Sequence, residues 1–327
     1  MTQSALDLVE GLQLARAVLT LHDLGILEAL KRPATAEKLA PAFKLDPMML
    51  RGVLEYVAAR TNLVQRKGER FVATPGYGPQ ARYLLDLYGF AFGSNAAQLP
   101  ELLRKPKLAP DAVDRVRHAR AFAHAGPQTS AMPSILRQLE LNHVLDLGCG
   151  PATMLADLAQ HDPAFTGWGL ERNPEMCKAA RRNVPKKQVK IIEGDAMRIR
   201  QSLPREIASR VRGVVASQFM NELFGRGPAL AIRWLRSLRS MLPNRVLLIA
   251  DYYGRLGTGY DAPRELLLHD YAQLISGQGV PPPDLDGWNA IYEAAGCRLA
   301  HVLEDNHTTL FVHVVVLSAA GQARRAH

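Results

Sequence analysis

The stretch His143-Val144-Leu145-Asp146-Leu147-Gly148-Cys149-Gly150-Pro151-Ala152-Thr153 reads as a buried strand that carries an acid near its end and runs into a Gly-x-Gly turn, after which MLADLAQ opens a helix. Glycines let the backbone turn sharply and approach a ligand closely, at the carboxyl end of the first strand, where parallel sheets bind ligands. That is a nucleotide-type site. A nicotinamide dinucleotide would want Gly-x-Gly-x-x-Gly, whereas the sixth position here is Thr153 and Asp146 stands two residues before the first glycine.

Downstream, the short apolar runs TGWGLE, VKIIEGD, VRGVVAS, VLLIADYY and LFVHVVVL alternate with helical stretches, which argues a parallel α/β sheet. Glu171 ends the second strand, 25 residues after Asp146, where a carboxylate can accept both hydroxyls of a ribose. Asp195 ends the third, in IIEGDAM, where an acid followed by small and apolar residues can receive an adenine amino group and cover its ring. The fourth strand ends in SQFMNELF, which places polar groups at the reaction edge.

Upstream, residues 1 to about 75 read as helices followed by a small hairpin. Leu6, Leu8, Val9, Leu12, Leu14 and Ala15 form an apolar helical face that Leu21, Leu24, Ile26 and Leu27 continue after a break. Thr35 caps TAEKLAPAF, and Asp46 with Pro47 opens PMMLRGVLEYVAAR. LVQR, a Lys67-Gly68 turn and ERFVAT then make a hairpin. This is the pattern of a winged helix. Its candidate recognition helix offers only Arg51, Glu55 and Arg60 as charges among apolar residues, so it is built for packing rather than for reading bases. Residues 76 to about 140 form a mostly helical connection with a basic run of Arg104, Lys105, Lys107, Arg115, Arg117 and Arg120, followed by Phe122 and His124.

With these residues in place, the chain resembles the class I S-adenosylmethionine-dependent methyltransferases. Together with the winged helix in front, it is similar to the two-domain small-molecule O-methyltransferases of plant and antibiotic pathways. The resemblance implies an α/β fold: a Rossmann-like methyltransferase sheet of seven strands with a reversed C-terminal hairpin. It implies a winged-helix dimerisation domain over residues 1–80, a helical connection lining the acceptor pocket over 81–139, and the S-adenosylmethionine-binding domain over 140–320. Carried over residue by residue, Asp146, Gly148 and Gly150 line the methionine and ribose part of S-adenosyl-L-methionine, Glu171 holds the ribose, and Asp195 with Ala196 and Met197 holds the adenine. The implied partners are a small-molecule acceptor and a second copy of the chain.

In that family a histidine just after the fourth strand usually serves as the base, but the matching place here reads Met220-Asn221-Glu222. Asn221 and Glu222 remain candidates at that position, although an acid in the first turn of a helix also has an ordinary electrostatic explanation. His269, in LLLHDYAQLISGQG, is a further candidate, because the family lines its acceptor pocket with this helix. His307 and His313 are expected to pack or to lie at the surface. The missing histidine and the HDYAQLISGQG segment resemble a subgroup that methylates carbon next to a ketone, such as the phenylpyruvate and 2-ketoarginine enzymes. A 2-oxo acid needs carbonyl polarisation and a modest base. Its carboxylate would suit one arginine from Arg115, Arg117 or Arg120. No metal ligand set can be assembled, since Met220 has no histidine at helical spacing after it.

Composition sets the outer limits. The 327 residues carry 40 Lys+Arg against 31 Asp+Glu, a formal +9, and are 47% hydrophobic, enough to exclude disorder as the main state. The charge is spread as +2, +3 and +4 over residues 1–80, 81–140 and 141–327, so no segment is a basic arm. The densest basic decapeptide, Arg181 to Lys190, lies between the second helix and third strand of the sheet domain, away from the hairpin, and nucleic acid is not an expected partner. Cys149, Cys177 and Cys297 lack ligand spacing and read as free thiols. The N-terminus lacks a signal-peptide pattern, and the longest apolar runs, such as Val246 to Ala250, fall far short of a membrane span, so no membrane contact and a cytoplasmic location are expected. Arg233, Arg236 and Arg239 read as the solvated face of an amphipathic helix, and GQGVPPP, Gly277 to Pro283, as a connecting loop or part of a lid. A winged-helix DNA-binding protein and a dinucleotide oxidoreductase stay open beside the methyltransferase.

Overall fold

The computed structural model describes residues 4–124, 131–259, 261–304 and 310–318. The expectation for His307 falls outside the described residues, as do the side chains of Phe122 and His124. The chain divides into two compact units, Met1–Gly93 with Arg120–Gly126, and Ser94–Ala119 with Pro127–His327, so the boundary passes through the helix Arg115–His124.

The first unit is helical with a two-stranded hairpin. Ser4 and Asp7 close a capping box on the helix Ala5–Asp23, with Ser4 N–H donating to Asp7 Oδ2 at 2.9 Å and Asp7 N–H to Ser4 Oγ at 3.2 Å. Thr35 and Asp46 cap Ala36–Phe43 and Pro47–Arg60, as their sequence positions lead one to expect. Strands β1 (Val64–Lys67) and β2 (Arg70–Ala73) pair antiparallel with Lys67 opposite Arg70. Ile26, Leu27, Leu54, Val57 and Phe71 form the core. The apolar face of the first helix behaves differently at its two ends. Val18 and Leu21 are buried, but Leu6, Leu8, Val9 and Leu12 are exposed in the single chain.

A buried polar chain also lies in this unit. Tyr77 Oη meets His22 Nδ1 at 2.6 Å, and His22 Nε2 and Arg120 Nε each stand 3.4 Å from Asp86 Oδ2. Arg120 is therefore committed to a buried carboxylate, which removes it from the three arginines offered for a substrate carboxylate. Its position in a basic run concealed this, because the partner lies 34 residues earlier in sequence.

The second unit holds a seven-stranded sheet in the order β5-β4-β3-β6-β7-β9-β8. Its strands are β3 (His143–Leu147), β4 (Thr166–Glu171), β5 (Val189–Glu193), β6 (Gly213–Ser217), β7 (Val246–Tyr252), β8 (Arg298–Glu304) and β9 (Leu310–Val316). The first five run parallel and β9 runs antiparallel to both its neighbours, which is the reversed C-terminal hairpin. Alternate residues face opposite cores, as a pleated strand requires. Leu145, Leu147, Val214 and Ile249 join the cluster under the helices Ala229–Met241 and Leu285–Ala295, whereas Val144, Val215 and Leu248 join the one under Thr153–His161 and Pro174–Asn183. Both faces are covered, which is why these strands read as continuous apolar runs.

Two of the three arginines on Ala229–Met241 do more than meet solvent. Arg236 donates to the Ala294 carbonyl at 2.6 and 3.2 Å, and Arg239 to that of Gly296 at 3.1 Å. They cap the C-terminal end of Leu285–Ala295, where carbonyls lack intrahelical partners. The Gly277–Pro283 loop is likewise packed. A Cβ on Gly279 (φ +85°) would stand 2.3 Å from both the carbonyl carbon and the oxygen of Phe224, so only glycine lets the two backbones meet.

Candidate functional site

The site is built at the carboxyl edge of the parallel strands. As β3 ends, the N–H groups of Gly148 and Cys149 both donate to the Leu170 carbonyl, at 2.8 and 3.2 Å, which ties the turn to the end of β4. Gly148, Gly150 and Ala152 all have positive φ, at 71°, 52° and 56°. This left-handed path lifts the turn over the sheet edge before Thr153–His161 begins, and nothing lies within 4 Å of where a Gly150 side chain would start. Glu171, at the end of β4, accepts the Gly150 N–H at 3.0 Å through Oε2 and the Asn173 N–H at 2.8 Å through Oε1.

Asp146 lies buried beneath the turn. Burial, and then the Glu171 charge, push its carboxyl up to about 7. Asp195 stands two residues beyond the end of β5 and caps the 3-10 turn Ala196–Arg198, with Oδ1 accepting the Met197 N–H at 2.9 Å. The Ala196 carbonyl in turn accepts the Trp234 indole N–H at 2.8 Å, and Met197 packs half-buried on the core. All seven cofactor candidates therefore lie at the ends of three adjacent strands, Asp146 and Glu171 in the last residues of β3 and β4 and the rest on the turns that follow β3 and β5.

These residues fit the chemistry of S-adenosylmethionine. The Glu171 charge opposes ionisation of both Asp146 and Glu222, that of Asp195 opposes Glu222's, and a sulfonium with an α-ammonium supplies the positive charge such a group lacks. Open space above Gly150 leaves room for the ligand to approach the backbone.

The second half of the edge follows β6 and β7. Asn221 is buried in the turn Met220–Leu223, and its N–H donates to Asp251 Oδ2 at 3.0 Å. Its side-chain Oδ1 is buried with no donor among the described residues. Asp251 Oδ1 accepts the Tyr252 N–H at 3.0 Å. Burial pushes this carboxyl to about 7, against the hydrogen bonds from Asn221 and Tyr252. His269, on Arg264–Ile275, packs edge-on against the Tyr252 ring at 4.9 Å, with Nε2 3.3 Å from Gln273 Nε2. Burial holds its imidazole below the usual value, so it is neutral near pH 7. Asn221, Asp251, Tyr252 and His269 thus form one connected series.

Glu222 lies 3.6 Å from Arg172 through Oε2. Burial raises its carboxyl, with Glu171 and Asp195 adding to the rise and Arg172 and Arg115 opposing it. Arg115 is half-buried, feels Arg172, Glu222 and Glu171, and gives its backbone carbonyl to the Asn173 side chain at 3.4 Å. His118, one turn on, is pushed down to about 4 by burial and by the two arginines. Arg115 is thus a member of the basic run that reaches the acidic edge.

The sequence reading passed over Asp251, Arg172 and His118. Asp251 had a visible signal, an acid near the end of an apolar strand as in β3. Arg172 and His118 had none, because their roles depend on contacts between segments 50 or more residues apart. His313 is buried between Tyr292 and Tyr253, with Nδ1 2.8 Å and Nε2 3.2 Å from their hydroxyls, and is structural. Among the described residues no cluster of three or more His, Cys, Asp or Glu could hold a metal ion, and no helix is long and apolar enough to cross a membrane.

Residues 144–227 match the family described as a methyltransferase domain. Over 53 residues the chain is 43% identical to a 4-amino-L-phenylalanine/4-methylamino-L-phenylalanine methyltransferase of Streptomyces pristinaespiralis, a match covering 16% of this chain and 18% of that protein. The mitomycin 7-O-methyltransferase MmcR shares the fold at a TM-score of 0.71 and 18% identity, over 95% of this chain and 96% of its own. CalO1, a methyltransferase in calicheamicin biosynthesis with S-adenosylhomocysteine bound, does so at 0.63 and 20%, over 97% and 100%. PigF with S-adenosylhomocysteine does so at 0.75 and 14%, over 96% and 99%. The sheet order, the Gly-x-Gly turn and the matching segment identify a class I methyltransferase domain.

Proposed function

We propose that this chain transfers a methyl group from S-adenosylmethionine to a small anionic acceptor of secondary metabolism, and that the acceptor is a 2-oxo acid methylated on the carbon next to its ketone. The observation that carries this reading is the placement of Arg115 beside Arg172 and Glu222, next to a reaction edge that has no motif histidine. Bound S-adenosylmethionine supplies an activated methyl group on a positively charged sulfur.

The chain's own residues do the rest. Glu171 and Asp195 hold the ribose and the adenine, with Gly148 and Gly150 giving close backbone approach and Ala196 and Met197 covering the ring. Asp146 offers a buried carboxylate to the cationic end. Arg115 pairs with the acceptor carboxylate and thereby orients the neighbouring carbon. Neutral His269 takes the proton from that carbon and delivers it to the ketone oxygen, giving the enol; as the carbon takes the methyl group and the S–C electron pair stays on sulfur, the hydroxyl proton returns to His269. The buried Oδ1 of Asn221 accepts a hydrogen bond from the enol hydroxyl, and Asp251 fixes the backbone that carries it.

Oxygen methylation is the second reading, favoured by the O-methyltransferase with which the fold is shared. For the chain as a whole we propose a winged-helix dimerisation domain over 1–80, a connection over 81–139 and the catalytic domain over 140–320. The exposed row of Leu6, Leu8, Val9 and Leu12 supports a homodimer through the N-terminal helix. The test is mass spectrometry of a mixed panel of 2-oxo acids and phenols incubated with methyl-labelled S-adenosylmethionine. Label on carbon of a 2-oxo acid is expected; label on oxygen alone rejects the preference.

A further inference from the structure

At the opposite, amino-terminal edge of the sheet, where the chain enters β6 and β7, a pocket opens that none of the chemistry above uses. Leu203, Met241 and Pro243 give it apolar walls, and Arg200, Arg205 and Arg245 line it with no aspartate or glutamate among the lining residues. Elsewhere in this unit arginines find carboxylates, as Arg172 does with Glu222 and Arg181 with Glu193. Among the described residues these three have no such ion pair.

Three arginines lining one concavity concentrate like charge there, which is unfavourable without a counter-charge. Arg200 donates through Nε to Ser237 Oγ at 3.1 Å and through Nη2 to Ser240 Oγ at 2.7 Å, which sets the plane of its fork and leaves Nη1 without an acceptor among the described residues. Arg245 Nε is buried with no acceptor among the described residues, an arrangement that costs desolvation without return. An oxyanion offsets the charge and accepts from several guanidinium donors at once. The apolar walls suit a small hydrocarbon body behind it.

We infer that this pocket binds a small organic anion, a phosphate monoester or carboxylate carried on an apolar group. It lies before Gly213 and Val246, whereas Asp251 and the turn after β6 lie at the other ends of the same strands. At about 3.3 Å per residue the five residues of β6 separate the two edges by roughly 15 Å, too far for one small molecule to occupy both.

Calorimetric titration of the full chain with phenyl phosphate and with phenylacetate tests this. At least one probe is expected to bind with one site per chain, and the tighter of the two tells a phosphate head from a carboxylate. Binding should weaken about tenfold in Arg200→Gln/Arg245→Gln, and also in Ala208→Phe, which fills the pocket from its wall. S-adenosylhomocysteine affinity, measured on the same samples, should stay at the wild-type value and report an intact fold. Arg115→Ala should retain probe binding, which separates this pocket from the acceptor site. Absence of saturable binding to the wild-type chain, full binding to both pocket variants, or loss of binding in Arg115→Ala overturns the inference.

Discussion

The carboxylate of Glu171 receives the backbone N–H of Gly150 at 3.0 Å, across 21 residues of sequence, while its other oxygen receives that of Asn173. One side chain therefore sets both the height of the turn after β3 and the first residues after β4. Glu171→Ala leaves two N–H groups without their acceptor and removes the proposed ribose ligand together. Calorimetry should detect no S-adenosylmethionine binding; an unchanged affinity would remove Glu171 from the site.

Asp146 gives a pH signature. Its carboxyl titrates at about 7 in the folded chain against a reference of 3.8, so the folded state retains a proton that the unfolded state releases. Stability from this group is therefore complete below the reference value and is lost as pH rises from about 4 to about 7. The buried histidines work the other way: His313 is held near 3 and His118 near 4 by burial, so they withdraw stability as pH falls below the usual histidine value. Comparing Asp146→Asn with wild type isolates the carboxyl. The variant's advantage in melting temperature, without cofactor, should grow from pH 4 to pH 7 and then level off. A constant difference across that range would refute the assignment.

Arg115→Ala should raise KM for phenylpyruvate about tenfold. S-adenosylmethionine affinity should hold within about threefold, since Glu171, Asp195 and the turn after β3 remain. Steady-state kinetics with calorimetry on the same variant separates the two effects. A loss confined to cofactor affinity would place Arg115 on the wrong ligand.

Arg236→Ala and Arg239→Ala each remove side-chain donors from the end of Leu285–Ala295. Each should lower unfolding free energy by about 1 kcal/mol, whereas Arg233→Ala, at an exposed position of the same helix, should be near neutral. Urea denaturation checks all three.

How much the sequence discloses depends on the range of the interaction. Strands β3 to β7, the Gly-x-Gly turn and the caps Thr35 and Asp46 follow from patterns of two to eleven residues, and they stand where those patterns place them. Arg236 and Arg239 read as solvent-facing because their acceptors lie 58 and 57 residues away. Arg120 and Arg115 share one helix and one basic run, yet Arg120 is claimed by Asp86 while Arg115 faces the acidic edge. Asp251 is legible as an acid near the end of an apolar strand, but its partner Asn221 is legible only as a substitute for the family's histidine. The hydrogen bond between them spans 30 residues and two strands.

Strand β9 comes last among the described strands yet lies between β7 and β8, with Val246 facing Val316 and Tyr252 facing Leu310. During synthesis, every residue placed at the carboxyl edge is made before β9 exists. Until residues 310–316 arrive, β7 shows an open row of N–H and C=O groups beside Asp251, whose register partner is Phe311. A nascent chain at that stage carries the whole turn around Gly148 and Gly150 next to an unpaired strand. Such an edge invites association with other chains, so the interval between translating β7 and translating β9 is when this protein is most exposed to misassembly.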